Sequence, residues 1–181
     1  MTELILDDLM RVAAEAGMAQ AARGELSSQL LLTRAADGAV TIHLLSVPGV
    51  HPSTSARLAI AAAGPTHAVL VFEGYATQAD PEKQPEKARL FANKVIRVSD
   101  LPPSERYDIL MILGESRAGD QATRRYRITP APPGGRRTFE PDPGWEQDGA
   151  VVAYDRFRPL FLSKERLLDL IGGRRSDARR D

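Results

Sequence analysis

No cysteine occurs anywhere in the 181 residues. That excludes a disulfide framework, zinc sites built on thiolates and a thiol nucleophile. It also suits a reducing compartment, so a cytoplasmic location is expected. No apolar run approaches the roughly 18 residues that a membrane-crossing helix needs, and no membrane association is expected. The first residues carry Glu3, Asp7 and Asp8 in place of a basic stretch, so no signal peptide is expected. Net charge is absent too: 24 basic side chains balance 24 acidic ones. With no global field to attract nucleic acid or an anionic surface, any such binding needs a local patch. Lysine is scarce, 4 against 20 arginines. Biased base composition in the coding genome accounts for that ratio, which by itself does not argue for a grip on phosphates or carboxylates.

Several catalytic signatures are missing as well. There is no HExxH, no GxSxG elbow, no P-loop and no GxGxxG. His43, His51 and His67 are the only histidines and lie far apart. Neither a metal site nor a cofactor is expected from them. His51-Pro52-Ser53 lacks the elbow a serine nucleophile needs. Glu115 is followed by Ser116 and Arg117, which is not the Glu-x-Lys of many nucleases.

What is present is enough for one domain with a proper core. Thr2 to about Gly17 reads as a helix with Leu6, Leu9, Met10 and Ala13 on one stripe, and a second short turn covers Ala19 to Arg23. Gln29–Arg34 and Val40–Ser46 read as two strands joined through Asp37-Gly38, a hairpin signal. Ser53 or Thr54 is expected to cap a helix ending at Gly64-Pro65. His67–Ala76 (HAVLVFEGYA) and Tyr107–Ser116 (YDILMILGES) are apolar at successive positions, the pattern of interior strands covered on both sides. Between them, 77–87 reads as a polar loop, and 88–98 fits either a helix or a short strand. Gln121–Thr129 reads as an outer strand with Tyr126 and Ile128 inward and Arg125 and Arg127 outward.

Residues 130–144 hold five prolines and three glycines, so no regular structure is expected there. Trp145 follows, then a short strand over Ala150–Tyr154 and a final helix capped by Ser163. The expected fold class is α+β: a mostly antiparallel sheet with helices on one face, plus a Pro-rich arm and a C-terminal helix. The divisions are an α+β body (1–129), the Pro/Gly-rich arm (130–149), a C-terminal strand and helix that pack on the body or on a partner (150–173), and a charged tail (174–181).

The segments VFEGYA (Val71 to Ala76), LPPSERYDILMILGES (Leu101 to Ser116) and RRYRI (Arg124 to Ile128) occur in a recognisable order. A strand ends in an acid and an aromatic, a polar Pro-rich loop follows, and a hairpin closes on Tyr-x-Ile. Over residues 50–130 this resembles a family of small uncharacterised bacterial and phage α+β proteins. The resemblance implies a shared fold and carries over no site residues.

Glu73 is the sharpest single candidate for chemistry. It is an acid in an otherwise apolar strand, and a buried carboxylate must be paired or raised in pKa. The bland reading puts it at the solvent end of the strand or against an arginine. Asp108 and Glu115 flank the other interior strand about 23 Å apart, too far to share one ion. Arg117, Arg124, Arg125, Arg127, Arg136 and Arg137 form the one basic concentration, and on a hairpin plus arm they can offer a stripe to phosphates. The bland alternative is a solvated outer strand.

The first expectation is therefore a non-enzymatic interaction protein that docks a protein partner or a second copy through its arm and C-terminal helix. Phe139 and Trp145 are the candidate anchors, with Arg124, Arg125 and Arg127 beside them. The alternatives are a hydrolase with Glu73 as acid or base, and a nucleic-acid binder through Arg117–Arg137.

Overall fold

Strands β3 (His67–Ala76) and β4 (Tyr107–Ser116) alternate apolar side chains to both faces, so each face of the sheet needs its own cover. The computed structural model describes residues 2–24, 26, 29–46, 50–77, 84–93, 98–142 and 159–172. It supplies both covers. Six strands form one antiparallel sheet in the order β2-β1-β3-β4-β5-β6, with β1 at Gln29–Arg34, β2 at Val40–Leu45, β5 at Gln121–Thr129 and β6 at Thr138–Pro141. β3 and β4 pair along their whole length, from His67 opposite Ser116 to Ala76 opposite Tyr107.

Helix α1 (Thr2–Ala21) covers one face. Its Leu6, Leu9, Met10, Ala13 and Ala14 pack with Leu30, Leu32, Val69, Val71, Leu110, Ile112 and Ile128. Two glycines let it lie close. A Cβ on Gly17 would meet Val71 Cγ1 at 2.7 Å, and one on Gly114 would collide with Met10 Sδ. The helix thus runs unbroken through Gly17, where the sequence suggested a stop. The glycine there marks contact with β3, and tertiary packing overrides its weak helix propensity.

The opposite face is covered by helix α2 (Pro52–Ala63) together with Leu160, around Leu31, Ala68, Leu70, Phe72, Ile109, Met111 and Leu113. The α+β class, the antiparallel sheet and the C-terminal helix α4 (Lys164–Gly172) are as expected. The expected single helical layer is divided between the two faces, because strands apolar on both sides have two faces to bury. α2 is capped by His51, whose Nδ1 accepts from Ser53 N at 3.3 Å, with Pro52 in the first turn. This places the cap two residues earlier than Ser53. Pro fits there because a first-turn N–H has no helical partner to lose.

Helix α3 (Pro85–Ala92) occupies part of the expected polar loop and settles 88–92 as helix. Residues 94–97, where the alternative strand was placed, lie outside the described residues, as do Trp145 and the expected strand at 150–154. In the Pro-rich arm, β6 is a correction. Thr138 to Pro141 pair with Thr129 to Tyr126, and Phe139 packs into the α1-side core opposite Ile128. Four residues suffice for a short edge strand, and an edge tolerates Pro141 at its end. α4 begins behind Ser163, whose Oγ accepts from Arg166 N at 3.4 Å, and it rests on α2.

Candidate functional site

Glu73 lies on the α1 face of β3, at the end where α1 finishes. Its Oε1 accepts from Arg137 Nη1 at 2.8 Å and its Oε2 from Arg137 Nη2 at 2.9 Å. This is the forked geometry in which a guanidinium holds a carboxylate most firmly. Leu26 N donates to the same Oε1 at 3.0 Å. Arg137 Nη1 also donates to Ala21 O at 3.3 Å and to Gly24 O at 2.8 Å. Those carbonyls sit at the C-terminus of α1, the negative end of the helix dipole, where a cation is favoured. The pair therefore buckles three remote pieces together: α1, β3 and the arm.

Glu115 lies on the other face. It continues the series Ile109, Met111, Leu113, and it is 4% exposed. Among the described residues its carboxylate meets main-chain N–H groups. Oε2 accepts from Leu160 N at 2.9 Å, and Oε1 from Phe161 N at 3.4 Å. Arg57 on α2 is also buried, though less deeply, and its Nε donates to Pro159 O at 3.0 Å. Burial pulls the Arg57 pKa down from its usual value, and the charge of Glu115 opposes that. An acid and a base thus grip the main chain of 159–161 while Leu160 drops into the core. Sequence reasoning missed this arrangement. The parity of Glu115 with Met111 and Leu113 was the available signal.

A third buried polar group sits at the far end of β3. Thr66 gives its hydroxyl proton to Arg34 O at 3.0 Å. His67 Nδ1, 2.9 Å from Thr66 Oγ1, must then be the donor of that pair. This leaves Nε2 as the bare nitrogen, buried and without a hydrogen-bond partner among the described residues. Burial lowers the His67 pKa, Arg34 lowers it further, and Asp120 raises it. Ser116, opposite His67 across the sheet, donates its hydroxyl to Asp120 Oδ2 at 2.7 Å.

The arginines of the basic concentration do not form one stripe. Arg124 reaches Asp7 on α1. Arg125 Nε lies 2.9 Å from Asp142 Oδ2, which also accepts from the Tyr107 hydroxyl at 3.0 Å. Arg127 stacks over the Tyr107 ring, 4.0 Å from its centre. Burial raises the Tyr107 pKa, with Asp142 adding to this and Arg127 and Arg125 opposing it. Arg117 Nε donates to Pro65 O at 3.1 Å, and Arg136 is exposed. Of the histidines, His43 Nε2 meets Thr33 Oγ1 at 3.0 Å and His51 serves as the α2 cap. No three acids or histidines converge on one point among the described residues. Phe139 is half-buried in the core, and Trp145 lies outside the described residues.

The surface feature that stands apart is apolar. Val40, Ile42 and Leu44 share one face of edge strand β2 and are 50%, 55% and 64% exposed. They pair with Arg34, Leu32 and Leu30, so the row lies on the α1 side of the sheet, beyond the reach of α1. No helix among the described residues is long and apolar enough to cross a membrane. The chain is thus an antiparallel α+β protein whose two strand acids act as buckles and whose edge strand β2 carries a row of three exposed apolar residues. No family model matches it, and neither a curated protein nor a solved structure does.

Proposed function

We propose that the protein is a non-enzymatic interaction protein, assembling with a protein partner or with a second copy of itself. The observation that carries this reading is the row Val40, Ile42 and Leu44. A free sheet edge normally carries lysine, proline or a bulge to discourage pairing. The six residues of β2, VTIHLL, include no proline and no lysine. An apolar row on such an edge is the signature of a surface that is covered when the protein works. Leu168 of α4, also exposed, adds apolar surface on the C-terminal helix that the sequence singled out for docking.

The competing readings find less support. Both oxygens of Glu73 are engaged by Arg137, so the acid that a hydrolase would need is already committed. Arg124, Arg125, Arg127 and Arg137 each face a partner within the chain, which weakens the case for a phosphate-binding stripe.

The test is the double variant Ile42→Lys, Leu44→Lys. Both sites are exposed, so stability should change by no more than about 0.5 kcal/mol for each. Light scattering should show the wild-type protein heavier than a single 19.7 kDa chain, or a stoichiometric complex with a purified partner, and the variant at the mass of one chain. A wild type that stays monomeric, with the same co-purifying proteins as the variant, sinks the reading.

A further inference from the structure

Glu115, Arg57 and the pocket filled by Leu160 have the parts of a peptide-recognition site. A buried carboxylate accepts two successive backbone N–H groups, from Leu160 and Phe161. A buried guanidinium donates to the carbonyl just before them, at Pro159. These contacts read main-chain polarity and register. Specificity comes from the one side chain between them, Leu160, which is 1% exposed and shares a core cluster with Ala56, Ile60, Met111 and Leu113. Main-chain bonds for affinity and an alternate side chain for specificity are how extended peptides are recognised in general. Beyond Leu160 the hold is lighter. Phe161 is half-buried with the Arg117 guanidinium 5.9 Å from its ring centre, and α4 leaves Leu168 open to solvent.

We propose that residues 159–172 are a displaceable ligand of this clamp, and that the occupant in trans is the same segment of a second copy. A second copy reproduces every contact: the Pro159 carbonyl on Arg57, the two N–H groups on Glu115, and Leu160 in the core. Exchange therefore needs no new chemistry, which is the logic of swapped dimers. The sixteen residues between Asp142 and Pro159 can span up to about 50 Å when extended, ample to reach a neighbour. The inference rests on the assembly reading only in taking the partner to be a second copy. It concerns a different surface from the β2 row.

Two measurements test it, the first on the unmodified chain. If the segment opens as its own unit, the Leu160 and Phe161 amides exchange with deuterium at least about 100-fold faster than those of Met111 and Leu113 in β4. Equal rates would mean that the segment leaves only when the whole protein unfolds, and would overturn the proposal. The second uses a labelled synthetic peptide of residues 159–172 with full-length protein. Leu160→Ala weakens the intramolecular occupant, so this variant should bind the peptide at least tenfold more tightly than wild type does. Adding Glu115→Gln should lose that gain. The pair Ile42→Lys, Leu44→Lys in the Leu160→Ala background should leave peptide binding unchanged, which separates this site from the β2 surface. Peptide affinity that is the same for Leu160→Ala and wild type, or indifferent to Glu115→Gln, overturns the proposal.

Discussion

Glu73 and Glu115 sit on the two interior strands, on opposite faces of the same sheet, and each ties down a segment far away in sequence. They do so differently. Glu73 keeps 17% of its side chain exposed and is met by a forked guanidinium. Glu115 is deeper and is met by two peptide N–H groups, with Arg57 close enough to be felt and donating to Pro159 O. The partly exposed acid is neutralised by a charge of its own, and water can replace part of what that charge supplies. The buried acid instead solvates a piece of main chain directly, by accepting two of its N–H groups. The contrast shows that an acid in an apolar strand need not be an active-site group. It can be the fastener for whatever must close over that face.

The largest effect should therefore come from Glu115→Ala. It strands two N–H groups, each costing roughly 1–3 kcal/mol when buried, and removes the negative charge that Arg57 feels. A loss of about 3 kcal/mol in denaturant unfolding is expected. Faster proteolysis within 159–172 should accompany it, since that segment can escape to solvent.

Glu73→Ala should cost less, about 1–2 kcal/mol, because Arg137 keeps Ala21 O and Gly24 O and its pair was partly wet. Circular dichroism during urea unfolding measures both variants on one scale. If Glu73→Ala proves the more damaging, direct charge pairing outweighs burial and the contrast is reversed.

How far these fasteners can be read from sequence depends on what holds them. The strands themselves are legible: β3 and β4 show their two faces in the alternation of Val69, Val71, Leu110 and Ile112 against Leu70, Phe72, Met111 and Leu113. Glu73 is conspicuous for the same reason. Its partner is not, because Arg137 is one of 20 arginines and lies 64 residues away. Nothing in local spacing selects it. Glu115 is harder still. Its position betrays burial, but what it binds is backbone at 160 and 161, which carries no side-chain signature. β6 escaped because prolines on both sides mask a strand whose only apolar contact is Phe139. Gly17 reads as a helix end, although its role is to bring α1 against Val71.

The smallest expected effect concerns His67, buried at the start of β3. It sharpens the contrast because among the described residues it has no charged partner in direct contact. Its folded pKa lies below the usual value near 6.5, chiefly through burial and secondarily through Arg34, with Asp120 opposing. The unfolded chain therefore binds a proton at a pH where the folded protein still refuses it. Above about 6.5 the imidazole is neutral in both states and its contribution is fully present. As pH falls through that value towards the lower folded pKa, stability declines, and below the folded pKa this residue adds no further slope. Unfolding free energies measured from pH 7.5 to 5 should show this decline, and His67→Gln should remove the part of the slope that lies between 6.5 and the lower folded pKa. Rising stability on acidification of the wild type would mean that Asp120 holds an imidazolium. His67 would then belong with Glu73, as a group neutralised by a charge of its own.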